Sequence, residues 1–117
     1  MTSKQRATLL ARALEEKKGI DIRVLDLREA RSFTDFFVIA TATSDTHAKA
    51  LSDAVLEACR TLGEHPFGVE GEQTARWILI DLSDLVVHVF QRESRDFYNL
   101  ERLWDVVELP LAAGDVA

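Results

Sequence analysis

The chain opens on an amphipathic stretch. Leu9, Leu10, Ala13 and Leu14 recur at the spacing of one helix face. Ser3 ahead of them suits a cap, the helix runs to Lys18, and Gly19 stands where it would stop. The period then changes. Ile20, Ile22 and Val24 alternate with Asp21 and Arg23, which marks a strand with one wet face. Residues 27–34 read as a loop. Phe36 to Ala40 is an unbroken apolar run, suited to a strand buried on both sides. After a small turn at Thr41 to Thr43, Ser44 can cap a second helix reaching about Leu62. Its apolar positions, Ala48, Leu51, Val55, Cys59 and Leu62, fall at steps of three and four, and Gly63 stops it.

The second half is mostly strand. Pro66 to Val69 suits a short one, and Gly71 to Ala75 a loop. Arg76 to Phe90 reads as a hairpin turning at Ser83-Asp84. Ser94 can cap a last short helix carrying Phe97, Leu100 and Trp104, and Pro110 ends regular structure. The order predicts one α/β domain over residues 1–117. It would hold a mixed sheet of about five strands, two long helices on one face, a short C-terminal helix and a mobile tail from about 111.

A two-residue turn at Ser83-Asp84 sets Leu82 opposite Leu85, Ile80 opposite Val87 and Ile78 opposite Val89. That face is wholly aliphatic and suits cover by the long helices. The other face pairs Asp81 with Val86, Leu79 with His88 and Trp77 with Phe90. A solvent face would carry Lys, Thr and Glu, and a core face would not carry Asp and His. The mixture suits a half-exposed docking surface with aromatic anchors. It also suits a face over which the final helix folds, with Trp77 in the core and His88 bonded to Asp81 or a backbone carbonyl. A slipped turn would exchange the two faces.

Charge and composition narrow the function. Fourteen Lys and Arg against twenty Asp and Glu give a net charge of -6. That disfavours broad contact with a phosphate backbone and suits a basic protein partner, or serves solubility alone. The single cysteine, Cys59, excludes an internal disulfide, fits a reducing cytosol and sits on a core stripe. No apolar run approaches the roughly 20 residues of a membrane span. His47, His65 and His88 lack metal-ligand spacing. No Walker loop or GxGxxG fingerprint occurs. Nucleotidyl transfer would need closely spaced carboxylates to hold two metal ions. No Asp-x-Asp occurs, and Glu70 and Glu72, with Asp81 further on, are the weak alternative.

Four segments carry a family resemblance: Phe33 to Ala40, Ala42 to Ala50, the hairpin with Glu70-Gly71 before it, and Arg95-Asp-Phe-Tyr-Asn-Leu-Glu-Arg-Leu-Trp104. Together they resemble the ribosomal silencing factor (Iojap) family. The resemblance implies a nucleotidyltransferase-like fold without catalysis, cofactor or metal. It implies cytoplasmic binding to the large ribosomal subunit through protein L-fourteen, exclusion of the small subunit, and repression of translation when nutrients are short. Organellar relatives imply large-subunit assembly as the alternative.

Face geometry and resemblance together nominate a docking set. Trp77 and Phe90 would be anchors, His88 and Asp81 would give polar register, and Tyr98 would stand at the rim. Arg95 would pair with a partner carboxylate or fold back onto Glu101 or Asp81. Ala42 and Ser83 stand where the family often has glycine, so both positions could require φ > 0. An exposed edge of the hairpin or of the first strand would also suit a homodimer.

Overall fold

The computed structural model describes residues 1–30, 34–98 and 107–109, with the backbone alone at Ala30, at 96–98 and at 107–109. Leu100, Glu101, Trp104 and the tail from 111 lie outside the described residues, as do the side chains of Phe97 and Tyr98. Helix α1 spans Ser3–Glu16. Its cap is Thr2 rather than Ser3: the Thr2 hydroxyl accepts from Gln5 N–H while the Gln5 side chain accepts from Thr2 N–H. This reciprocal pair satisfies two otherwise orphaned donors. At the other end Lys18, not Gly19, takes the left-handed conformation, at φ 64°. Lys18 N–H then donates to Glu15 O and Gly19 N–H to Leu14 O, each at 2.9 Å, closing the last turn.

Strand β1 (Ile20–Asp26) leads through a 3₁₀ turn at Arg28–Ala30 to β2 (Phe36–Ala42). The apolar run predicts β2 well, since all seven residues are buried. The strand extends through Thr41 and Ala42, which were expected in a turn, and Ala42 is not among the residues with positive φ. Ser44 caps α2 (Asp45–Thr61) by accepting from His47 N–H, and Gly63 at φ 74° closes it. Short strand β3 (Gly68–Glu70) and the hairpin β4 (Trp77–Asp81) and β5 (Leu85–Gln91) follow. Helix α3 begins directly after β5, at Arg92 rather than after Ser94, and runs to Tyr98. A sixth strand that the pattern does not predict, β6 (Val107–Leu109), completes the sheet.

The strand order is β3-β4-β5-β2-β1-β6. Among the described residues β2 and β5 are the parallel neighbours, and the other pairings are antiparallel. The hairpin has the register expected from the two-residue turn, with Trp77 opposite Phe90, Leu79 opposite His88 and Asp81 opposite Val86. Ser83 takes φ 75°, as a position favouring glycine would. The sheet edges are partly covered: β3 pairs with Leu79 to Asp81 of β4, and β6 with Val24 to Asp26 of β1.

Both long helices pack on one face. Leu10 and Leu14 of α1 and Leu51, Val55 and Cys59 of α2 meet Val38, Ile78, Ile80, Val87 and Val89, all fully buried. Burial raises the Cys59 thiol above its ordinary pKa, which makes it a packing group rather than a nucleophile. The hairpin turn is tied to α1 by charge. Asp84 accepts from both terminal nitrogens of Arg6, at 2.5 and 3.0 Å, and from the Ser3 hydroxyl. The hydrogen bonds from Arg6 lower the Asp84 carboxyl below its usual range. A depressed carboxylate stabilises the fold above its unfolded pKa of roughly 3.9, and that contribution disappears as pH falls through the folded value. Asp84→Asn is therefore expected to cost about 1 kcal/mol at pH 7. Urea unfolding at several pH values should show the gap from wild type shrinking below about pH 4.

Candidate functional site

The second face of the sheet carries a smaller apolar cluster: Leu25, Leu27, Phe37, Ile39, Val86 and Phe90, with Trp77 and Leu79 packed at its edge. Cross-strand geometry builds an aromatic group within it. Trp77 lies opposite Phe90, with ring centroids 4.9 Å apart and planes 26° from parallel. The diagonal neighbour of Trp77 is His88, within reach because large side chains span the diagonal of a strand pair. Trp77 Nε1–H donates to His88 Nδ1 at 3.0 Å. Phe37 meets the imidazole edge-on at 4.5 Å. Burial pushes the His88 pKa down to about 3, so the ring is neutral. With Nδ1 accepting, the proton sits on Nε2, which is buried with no hydrogen-bond partner among the described residues.

Exposure divides this face. On β5, Val86, His88 and Phe90 are buried, at 1%, 3% and 1% relative accessibility. On β4, Trp77, Leu79 and Asp81 are half-exposed. Glu70 of β3 pairs with Leu79, so it lies on the same face, at the exposed margin. The accessible part of the face is thus an apolar strip with carboxylates beside it.

Residues 1–115 match the family model described as "Ribosomal silencing factor during starvation". The chain belongs to the ribosomal silencing factor family. The chain is 41% identical over 95 residues to the ribosomal silencing factor RsfS of Haemophilus influenzae, covering 81% of this chain and 93% of that protein. It is 29% identical over 99 residues to the mouse protein named mitochondrial assembly of ribosomal large subunit protein 1, covering 82% of this chain and 43% of that one. The crystal structure of a Chromobacterium violaceum protein superposes with a TM-score of 0.83 at 35% identity, over 97% of this chain and 96% of that one.

In this chain the residues nominated from sequence separate into two groups. Trp77 and Asp81 remain accessible; Asp81 also accepts from Ser83 N–H at 2.8 Å, which holds the turn. His88 and Phe90, expected at a half-exposed surface, are instead buried behind Trp77. Arg95 is likewise buried. Its Nη1 donates to Asp21 O at 2.6 Å and to Thr41 Oγ1 at 2.7 Å, and Nη2 lies 3.5 Å from Asp21 Oδ2. Among the described residues these partners lie on β1 and β2 and do not include Asp81; Glu101, the other expected partner, lies outside them. The side chain of Tyr98 is outside the described residues. Leu79 was missed as a contact, although it shares strand parity with Trp77 and Asp81. Phe67, 79% exposed beside β3, was also passed over as part of a short strand.

His47, another polar residue singled out from the sequence, serves the fold. His47 accepts from Thr43 N–H at Nδ1 and donates from Nε2 to Lys17 O, joining the ends of the two long helices. Those bonds take up the Thr43 donor that a phosphate cradle there would need. Glu70 and Glu72, the weak metal candidates, are both exposed. Among the described residues, no group of three or more His, Cys, Asp or Glu side chains is arranged to hold a metal ion. No helix among them is long and apolar enough to cross a membrane.

Proposed function

We propose that the chain acts in the cytoplasm as a non-catalytic docking domain. In this reading it binds the large ribosomal subunit through protein L-fourteen, by the accessible strip of β3 and β4, and keeps the small subunit away. The observation that carries this is the family match over residues 1–115. The net charge of -6 supports a basic protein as partner rather than bare RNA. Trp77 supplies the aromatic anchor, and Leu79, Asp81 and Glu70 surround it. No bond is made or broken. Occupancy of the large subunit sets the effect, so repression holds while the protein's concentration exceeds its Kd. The name of the mouse relative favours a second reading, assembly of the large subunit, which would use the same docking surface.

Sedimentation of purified subunits tests the proposal. The protein should travel with the large subunit and lower the fraction of joined ribosomes. Trp77→Ala should keep the fold and weaken binding by tenfold or more, the usual cost of truncating an aromatic anchor of about 1.4 kcal/mol or above. Full binding by that variant removes Trp77 from the interface. Binding to neither subunit overturns the docking reading. Defective particles in a deletion strain growing on rich medium, without excess translation in starvation, would favour assembly.

A further inference from the structure

The docking strip offers the half-exposed indole of Trp77, and a tryptophan side chain has several staggered rotamers in principle. An anchor held in one orientation binds better than one that must be ordered on contact, because the ordering cost is already met in the free protein. We infer that His88 is the positioning residue of the docking face: its Nδ1, at 3.0 Å from Trp77 Nε1, sets the orientation in which the indole meets the ribosome. The inference rests on the docking reading above.

Three features of the site converge on this role. The imidazole is itself immobilised. It is 3% accessible, edge-on to Phe37 at 4.5 Å and nearly parallel to Phe90 at 5.9 Å and 9°. The acceptor it offers is directional, since a ring nitrogen lone pair lies in the ring plane. The indole is also stacked on Phe90, so a plane and an in-plane bond together fix both its tilt and its rotation. A histidine used only to fill space here would be replaceable by phenylalanine. Phenylalanine would also avoid the desolvation cost of an Nε2–H buried with no partner among the described residues. Retaining a buried imidazole against that cost requires a use for its other nitrogen, and the use on this face is the bond to Trp77.

The test separates the two hypotheses. His88→Phe keeps the ring and removes the acceptor; His88→Asn places Oδ1 where Nδ1 stood. Two readouts are taken at pH 7: the solvent exchange of the Trp77 indole N–H by NMR, assigned by its loss in Trp77→Phe, and the affinity for purified large subunits. His88→Phe should speed indole exchange and weaken binding by about five- to tenfold, the value of one net hydrogen bond. His88→Asn should restore most of both. If Trp77→Ala weakens binding while His88→Phe leaves exchange and affinity unchanged, the positioning role fails and docking stands. If Trp77→Ala itself binds fully, the docking reading has failed. Should both His88 variants unfold, the wild type decides: nitrogen-15 spectra must show Nδ1 bare and Nε2 protonated. A protonated Nδ1 cannot accept the indole N–H and overturns the inference.

Discussion

Gly71→Ala is expected to destabilise the protein by about 3 kcal/mol or more, enough to lower its Tm by roughly 10 °C. A Cβ at this position would stand 1.9 Å from the carbonyl oxygen of Trp77 and 3.0 Å from its carbonyl carbon. Both atoms are backbone, so no side-chain rotation relieves the clash. Gly71 also takes φ +86°, a conformation disfavoured for alanine. The loop holding it is closed by Ala75 N–H donating to Gly71 O at 2.9 Å. Ala75 is itself buried at φ 58°, so the loop already holds one strained residue. Moving Gly71 outward would carry the first residue of β4 with it, and that residue is the proposed anchor. Calorimetry should show the lower Tm. Wild-type stability in Gly71→Ala would mean that the loop can leave β4 at little cost.

Arg95→Met is expected to cost about 2–3 kcal/mol, the penalty for stranding buried partners of a charged donor. Methionine matches much of the stem but offers no donor. Thr41 is buried, and its Oγ1 would lose its 2.7 Å bond. Asp21 O would lose the 2.6 Å bond in the same substitution. Asp21 has φ 49° and lies where the register of β1 with β2 shifts, so its carbonyl is turned away from the ladder. The guanidinium fills that irregularity. Arg95→Lys should recover only part of the loss, since one ammonium cannot reproduce the fork. Hydrogen exchange should show protection falling first in α3 and at the start of β1, with the β4–β5 hairpin unaffected. Uniform loss across the sheet would show that Arg95 contributes to the whole core rather than to the seat of α3.

The hairpin was legible in the sequence because its two faces differ so strongly. Once Ser83-Asp84 is taken as the turn, six aliphatic positions fall on one side and a Trp, Asp, His and Phe on the other, the register that the structure has. The long helices were legible from their apolar steps, though their ends were less so. Thr2 and Ser3 are both good caps, and the choice rests on which hydroxyl meets Gln5 and which meets Asp84. A left-handed Lys18 beside a glycine cannot be read from residue preference, which points to the glycine. β6 has three residues and exists by pairing with β1, a partner some eighty positions earlier, so no local pattern announces it.

The candidate site was half legible for a related reason. Strand parity places Trp77, Asp81, His88 and Phe90 on one face without any structure. Which of them water reaches depends on what lies across β5 and β2, and that is a tertiary fact. The destination of Arg95 is of the same kind, since its acceptors are 74 and 54 positions away. The resemblance supplied the family but not the division of labour between an accessible tryptophan and the buried histidine behind it.

The central parallel pair has a consequence for how the chain reaches this state. Phe36 pairs with Leu85 and Ala42 with Gln91, so the middle of the sheet joins segments about fifty positions apart, with α2, β3 and β4 between them. Closing so long a segment costs entropy before any pairing offsets it, which slows the step. The two antiparallel neighbours, β1 with β2 and β4 with β5, close short loops and can form early. During synthesis, β2 leaves the ribosome with one edge satisfied and waits for β5 before the other can be. The chain therefore emerges with its most apolar strand unpaired on one side, and its vulnerable interval on the way to the folded state ends when Gln91 is clear of the exit tunnel.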